Sequence, residues 1–345
     1  MTERETGQAE VTEANMATTR TARSLMDRTL PSRARVVIVG GGIIGASTAY
    51  HLAKRGWEDV VLLERKRLTS GTTWHAAGLI TQARPTSATR QIVKRSLRIF
   101  ESLEGETGFG TGFQRTGTLH LADSSERWEE LRRQASACRS DNIRVDLISP
   151  DAARDLFPPL NVDDLVGALY FPDDGRGNAT DTTMALARGA QALGVRVFEG
   201  TGATGVRRDG DRVAAVTTQR GSIEADVVVN ATGMWGREFA AKAGVRVPLQ
   251  ALAHYYVVTE AIPGLPAALP TIKSAPDYSY VKNEGAGLMV GFFEPGSYAW
   301  ASRGIPEDAE FTQLPEDWDH LGPFYENMIK RLPVLAWYAP PTSRP

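Results

Sequence analysis

The stretch RVVIVGGGIIGASTAYHLAKRG, residues 35–56, decides the fold. It opens with a short β-branched run, passes through three glycines and continues as a helical pattern, which predicts a strand, a tight turn and a helix. A second apolar run, DVVLLE at residues 59–64, follows the helix stop at Gly56. The three elements make one β-α-β unit, and such a unit predicts a parallel sheet with a right-handed crossover.

The glycines of this turn have the spacing G-x-G-x-x-G at Gly40, Gly42 and Gly45. In that pattern the first glycine permits the turn, the second lets the backbone approach a pyrophosphate, and the third packs the helix against the strand. The helix N-terminus offers N–H groups to the phosphates. Glu64 ends the second strand, where a carboxylate can bind the ribose hydroxyls. The sequence therefore predicts a dinucleotide site, either FAD or NAD; the alternative is a glycine-rich turn in an unrelated α/β protein.

A later apolar run, ADVVVNATG at residues 225–233, predicts a buried strand of the parallel kind. It ends at Thr232 and Gly233, and flavoproteins of this layout bring a second glycine-containing strand end against the cofactor. We therefore favour FAD over NAD and include both residues in the predicted cofactor site.

Composition excludes several classes of function. The 345 residues contain 39 basic and 41 acidic side chains, so the net charge favours neither nucleic acid nor an anionic membrane, and a small polar molecule is the expected partner. The single cysteine, Cys138, excludes an intrachain disulfide and a cysteine-rich zinc site. No metal site is predicted, and no run of about 18 apolar residues predicts a membrane span. We expect a cytoplasmic protein, with the mitochondrial matrix as the alternative.

The order of strand-like and helical segments predicts two interleaved domains in an α/β fold. We predict a discontinuous, Rossmann-like FAD-binding domain at residues 34–107 and 178–243. A substrate domain built on a mainly antiparallel sheet is predicted at residues 108–177 and 244–330. Residues 1–33 run from acidic to basic without an apolar segment, which predicts a disordered tail and not a secretory signal.

Five ordered blocks carry a family resemblance: ERKRLTSGTTWHAAGL, NVDDLVGALYFPDDG, DTTMALARGA, DVVVNATGMWGREF and VPLQALAHYYVVTE. Together they resemble the sarcosine and dimethylglycine dehydrogenase family, which belongs to the D-amino-acid-oxidase-like flavoproteins. The resemblance implies FAD-dependent oxidation of an N-methylated amino acid, a secondary or tertiary amine, to an imine or iminium with two-electron reduction of flavin. The resemblance allows two electron acceptors, oxygen or an electron-transfer flavoprotein.

His75 lies in the W-H-A-A-G part of the first block. The resemblance implies that its imidazole carries FAD covalently, through the 8α-methyl carbon of the flavin. A neutral imidazole is a competent nucleophile near pH 7. Noncovalent FAD is the alternative.

His254 and Tyr256 match a His-x-Tyr that lines the substrate side of the flavin in this family. Amine oxidation needs a free nitrogen lone pair, so a nearby base that takes the ammonium proton makes chemical sense. Tyr280 in the next strand could join them, and Lys282 could attract a substrate carboxylate. The alternative is that these are half-buried strand residues without a catalytic role.

The last residues, RLPVLAWYAPPTSRP at 331–345, depart from the family pattern. We expect an atypical tail in a C-terminally truncated or frame-disrupted chain, which would weaken flavin binding. This leaves a second hypothesis, a non-catalytic or inactive regulatory protein on the same scaffold. A third, an NAD-dependent dehydrogenase, is disfavoured by the W-H-A-A-G block.

Overall fold

The computed structural model describes residues 29–338, which form two compact units. The first unit comprises the described residues up to His75, residues 183–250 and residues 303–312. The second comprises residues 76–182, residues 251–302 and the described residues from Gln313 onward. Most of the predicted N-terminal tail lies outside the described residues. The first strand begins at Arg33, and Leu30 already packs against the core of the first unit.

The elements of the described residues are numbered here in chain order. The strands are β1 (Arg33–Val39), β2 (Val60–Leu63), β3 (Leu79–Ile80), β4 (Thr118–Ala122), β5 (Asp146–Ile148), β6 (Gly167–Phe171), β7 (Gly175–Arg176), β8 (Arg196–Phe198), β9 (Ala203–Asp209), β10 (Arg212–Thr218), β11 (Gly221–Asn230), β12 (Tyr256–Val258), β13 (Thr271–Ser274), β14 (Ser279–Glu284) and β15 (Gly287–Phe292). The α-helices are α1 (Ile43–Lys54), α2 (Ser87–Thr107), α3 (Ser125–Ser140), α4 (Pro150–Leu156), α5 (Ala179–Ala192), α6 (Gly236–Lys242) and α7 (Trp318–Arg331).

The first unit contains a six-stranded sheet in the order β8-β2-β1-β11-β10-β9. The four strands from β8 to β11 pair in parallel, while β10 and β9 add an antiparallel edge. Val37, Val61 and Leu63 are fully buried in its core because parallel strands joined by helices are covered on both faces. The predicted Rossmann-like α/β architecture is confirmed.

The burial of β11 differs from the prediction. The run was expected to be buried throughout, but Val227 is 43% exposed. Nearer the start of the strand, Ile223 and Ala225 are buried while Glu224 is exposed. This alternation follows from the antiparallel pairing with β10, since such a pair commonly has one solvated face.

The second unit contains a seven-stranded sheet in the order β12-β15-β14-β13-β4-β6-β5. All neighbouring strands are antiparallel except β13 and β4. One face packs Leu119, Val281 and Val290 against α4 and α7, where Phe157 and Met328 are fully buried. The predicted mainly antiparallel sheet is confirmed.

The observed division differs from the predicted boundary at residue 107. Helix α2 belongs to the second unit, and the first unit ends its first segment at His75. Two contacts tie α2 to the end of α3: Arg90 Nε lies 2.5 Å from Asp141 Oδ2, and Lys94 Nζ donates to the Asp141 carbonyl. These polar contacts join segments some 50 residues apart, so the hydrophobic pattern of α2 did not reveal them.

Residues 303–312 return to the first unit, although they were predicted in the substrate domain. Arg65 donates to the carbonyls of Glu307 and Ala309, and the Phe311 N–H donates to the Ser70 carbonyl. Within residues 29–338, no helix combines the length and apolar character needed to cross a membrane. Over the same range, His, Cys, Asp and Glu side chains form no group of three or more that could hold a metal ion.

Candidate active site

A cavity of about 700 Å³ opens in the first unit above the ends of β1, β2 and β11. Its volume lies in the range usual for small-molecule and cofactor sites. The cavity brings together most of the predicted cofactor residues, which are separated by up to 193 positions in the sequence. Its lining includes Gly40, Gly42, Glu64, Thr73, Thr232 and Gly233.

The three motif glycines are required by different contacts. Gly40 has a φ of +113°, and a Cβ there would lie 2.2 Å from the Ala231 carbonyl oxygen. A Cβ on Gly45 would lie 1.9 Å from the Gly40 carbonyl oxygen. Gly42 is different, since within residues 29–338, its chain neighbours aside, the only atom within 4 Å of its Cβ position is the Thr73 hydroxyl oxygen at 2.9 Å. Gly40 and Gly45 therefore allow close backbone packing, while Gly42 leaves room for a ligand to approach the turn.

Glu64 stands at the end of β2 and is 9% exposed. Its Oε2 accepts the Gly41 N–H at 2.7 Å, and its Oε1 accepts the Lys66 N–H at 2.9 Å. Burial raises the pKa of Glu64, and these two backbone hydrogen bonds oppose that rise. Each carboxylate oxygen keeps a further lone pair, so the group can hold the turn and still accept a ligand hydroxyl.

The cavity wall contains polar atoms that the protein leaves unmatched. Trp235 Nε1 and Glu238 Oε2 are buried and have no hydrogen-bond partner within the described part of the chain. Both residues line the cavity. Buried polar groups are nearly always paired, so these two atoms indicate a ligand with its own donors and acceptors. The turn, the carboxylate and these unpaired atoms fit a dinucleotide such as FAD.

His75 lies two positions beyond Thr73, a lining residue, but is not itself part of the cavity wall. Its ring is half-buried against Trp74, with ring centroids 4.1 Å apart. Burial lowers the pKa of His75, and a hydrogen bond with the backbone of Thr312 opposes this. The lowered pKa favours the neutral form of the imidazole.

The predicted substrate-side tyrosines lie in register in the second unit. Tyr256 and Tyr280 pair with the same residue, Gly291, from opposite sides, so they share one face of the sheet. The Tyr280 ring lies across Gly291, where a Cβ would be only 1.9 Å from the ring Cζ. Burial, followed by the neighbouring Tyr256, raises the pKa of Tyr280 to about 12. Both phenols therefore stay protonated at neutral pH; burial also raises the pKa of Tyr256.

His254 precedes β12, and its side chain is 55% exposed. Its Nδ1 lies 3.2 Å from Glu294 Oε1 and 3.3 Å from Ser297 Oγ. Lys282, which could attract a substrate carboxylate, has its Nζ 2.6 Å from Glu284 Oε2.

Sequence reasoning missed Glu294 and Lys273. Glu294 follows the buried strand β15 and is only 4% exposed, so an acid directly after an apolar strand was the available signal. Lys273 lies between Tyr280 and His120 in the same row of the sheet. Burial, then the charge of Lys273, lowers the pKa of His120 to about 3, so this histidine is neutral.

The fold and the cavity define a two-unit dinucleotide-binding protein of the flavoenzyme class. Residues 35–343 match the family model described as DAO, FAD dependent oxidoreductase, and the chain belongs to this family. The resemblance drawn from the five sequence blocks is thereby confirmed.

Relatives and solved structures agree with this assignment. The chain is 40% identical over 314 residues to human mitochondrial sarcosine dehydrogenase, covering 89% of this chain and 34% of that protein. It is 38% identical over 309 residues to the mitochondrial pyruvate dehydrogenase phosphatase regulatory subunit of Mus musculus, covering 89% of this chain and 35% of that protein. The chain thus spans about a third of the length of these curated relatives. The crystal structure of L-proline dehydrogenase from P. horikoshii matches with a TM-score of 0.80 and 27% identity, over 90% of this chain and 80% of that one.

Proposed function

We propose that this chain is an FAD-dependent amine oxidoreductase acting on an N-methylated amino acid such as sarcosine or dimethylglycine. The observation that carries the proposal is the cavity of the first unit, where a glycine turn, a buried carboxylate and unpaired polar atoms fit a dinucleotide. Family membership and the identity to sarcosine dehydrogenase support the cofactor and the substrate class. When bound, FAD supplies a ring that accepts two electrons from the amine.

The residues of the first unit would hold the cofactor in defined ways. Gly42 and the N-terminus of α1 receive the pyrophosphate, because the first N–H groups of a helix have no partner inside it. Glu64 accepts from the ribose hydroxyls. Thr232 and Gly233 lie at the end of β11 on the same cavity wall, and the Trp235 indole N–H is available to donate there.

The attachment through His75 is part of the same proposal. The His75 imidazole would hold the flavin through a bond between a ring nitrogen and the 8α-methyl carbon. The half-buried ring with a lowered pKa supports this role. Noncovalent binding is the alternative.

The residues of the second unit would prepare the substrate. His254 takes the proton from the substrate ammonium, which frees the nitrogen lone pair. Tyr256 and Tyr280 remain protonated and can donate hydrogen bonds to a carboxylate. The oxidised product is an imine or iminium, and the final electron acceptor is dioxygen or an electron-transfer flavoprotein. We place the protein in the cytoplasm, with the mitochondrial matrix as the alternative.

Spectroscopy and anaerobic reduction test the proposal. The purified protein should show flavin absorption that bleaches when sarcosine or dimethylglycine is added without oxygen. His254→Ala should slow this bleaching about 10²-fold, the usual size of a general-base effect. A chain that binds flavin but is not reduced by any N-methylated amino acid would contradict the assigned reaction.

Acid precipitation tests the covalent link. The flavin should stay with the protein pellet, His75→Ala should release it, and His320→Ala in α7 provides the matched histidine control. Flavin found entirely in the supernatant of the unaltered protein would leave noncovalent binding in its place.

A second candidate function follows from the identity to the phosphatase regulatory subunit. In that case the scaffold would bind a partner or a nucleotide without oxidising an amine. A protein that binds FAD in the first unit but transfers no electrons from any amine would favour this candidate.

A further inference from the structure

The carboxylate of Glu294 is buried without a hydrogen bond. Its side chain has no exposed surface, and neither oxygen has a hydrogen-bond partner within residues 29–338. An isolated buried carboxylate is costly, so such a group requires a nearby cation or donor. The imidazole of His254 lies at ion-pair distance, with 3.2 Å between Nδ1 and Oε1, although the ring is not yet aligned for a hydrogen bond.

The contacts of Ser297 indicate where the proton of His254 lies. The Ser297 hydroxyl lies 3.3 Å from the Glu294 carbonyl oxygen, to which it can donate its single proton. With the proton placed there, it accepts from His254 Nδ1, which also lies 3.3 Å away. A carboxylate also only accepts. Both neighbours of Nδ1 thus favour a proton on that nitrogen, which leaves Nε2 with a free lone pair.

The other ionisable groups around Glu294 do not replace His254 as its partner. Tyr280 and Tyr255 both lie close enough for the Glu294 charge to contribute to their raised pKa, after the larger effect of burial. They are neutral phenols at pH 7, and Tyr255 is hydrogen-bonded to Tyr298. The remaining charged neighbour of Tyr255 is Asp317, which has the same sign as Glu294.

We propose that Glu294 is a positioning residue that keeps the proton of His254 on Nδ1 and so directs Nε2 toward the substrate ammonium. In the step itself an N–H bond of the ammonium breaks and an Nε2–H bond forms. The positive charge moves from the substrate to the imidazole, where the buried carboxylate stabilises it. The assignment of a substrate ammonium as the proton donor rests on the proposed function. The pairing of Glu294 with His254 does not depend on that function.

Nitrogen NMR of the full chain labelled with ¹⁵N-histidine tests the pair without flavin or substrate. Long-range ¹H–¹⁵N correlation spectra distinguish the Nδ1–H from the Nε2–H tautomer, and His254→Gln assigns the signal. In the unaltered protein, the neutral form of His254 should be mainly the Nδ1–H tautomer. Glu294→Leu should shift the signal to Nε2–H, while Glu294→Gln should keep Nδ1–H because its amide oxygen still accepts. Asp174→Asn, at another buried carboxylate of the second unit, is the matched control and should leave the His254 tautomer unchanged.

Two results would overturn the proposal: an Nε2–H tautomer in the unaltered protein, or an Nδ1–H tautomer that persists in Glu294→Leu. If Glu294→Leu does not fold, Glu294→Gln decides the matter by kinetics. The neutral amide cannot balance an imidazolium, so anaerobic flavin reduction should slow about 10-fold or more, with substrate affinity little changed. An unchanged reduction rate in Glu294→Gln would refute the role. Absence of any amine oxidation would contradict the proposed function but leave the tautomer result as a valid test of the pair.

Discussion

Gly45 offers a direct test of the turn that builds the cofactor cavity. In Gly45→Ala the new Cβ would lie 1.9 Å from the Gly40 carbonyl oxygen and 3.3 Å from Leu62 Cδ1. Real Cβ contacts are essentially never shorter than 3.0 Å, so the Gly40 carbonyl must move by about 1 Å. That carbonyl cannot move freely, because the Gly40 N–H is held by Leu63 and its backbone packs against Ala231.

The expected change in the free energy of unfolding of Gly45→Ala follows from two opposing effects. Overpacking costs about 1–3 kcal/mol, and replacing a helical glycine by alanine returns about 1 kcal/mol. The net loss should be about 0–2 kcal/mol, or a fall in Tm of up to roughly 8 °C at about 2–4 °C per kcal/mol. FAD affinity should fall at least about 10-fold, because the displaced turn no longer presents its N–H groups to the pyrophosphate; that fall corresponds to about 1.4 kcal/mol of binding free energy.

Differential scanning calorimetry and flavin titration measure both effects. Gly105→Ala is the matched control, because Gly105 lies inside α2 and a Cβ there would meet nothing within 4 Å. That variant should gain about 0.5–1 kcal/mol of stability. If Gly45→Ala behaves like Gly105→Ala in both measurements, the reasoning about the turn is refuted.

Three further predictions concern the second unit. Gly291→Ala should displace the Tyr280 ring and slow flavin reduction about 10-fold in stopped-flow traces while flavin content stays unchanged; equal rates would contradict the role of that ring. Burial raises the pKa of Asp174 from 3.8 to about 6. The protonated carboxyl therefore contributes fully to the free energy of unfolding below pH 3.8, and this contribution should be lost as the pH rises to about 6. An asparagine does not titrate, so Asp174→Asn should remove this pH dependence, which amounts to up to about 3 kcal/mol. A Tm difference between the variant and the unaltered protein that stays constant with pH would contradict the prediction. Arg331 is buried and pairs with the mostly buried Asp277 and with the exposed Asp164, so Arg331→Ala should lower the unfolding free energy by about 3 kcal/mol in urea titrations, whereas Arg154→Ala at an exposed pair should change it by less than about 1 kcal/mol.

Local patterns predicted the β-α-β unit and much of the second sheet. The runs around Val61, Leu119 and Val290 became buried strands because alternating or continuous apolar residues must be removed from water. The short strand β13 and the helix α7 were not predicted. Lys273 and Ser274 interrupt the apolar pattern of β13, and Pro323 lies inside α7, so neither segment has a clean local signature.

The boundaries between the two units could not be predicted in the same way. Helix α2 belongs to the second unit and not to the predicted FAD-binding domain, and there Arg90 and Lys94 contact Asp141. Likewise, residues 303–312 join the first unit through the Arg65 guanidinium. Side chains that pair across tens or hundreds of residues leave no periodic trace in the sequence.

The sequence by itself determined the glycine turn, the acid at Glu64 and the family of the protein, because each depends on residues close together in the chain or on long ordered blocks. Tertiary structure alone decided that Tyr256 and Tyr280 share a face through Gly291 and that Glu294 lies beside His254. Sheet register and burial place these pairs, and both arise from the folding of segments that are distant in sequence. The chemistry of a histidine depends on which acceptor its ring nitrogen meets, and only the folded chain supplies that acceptor.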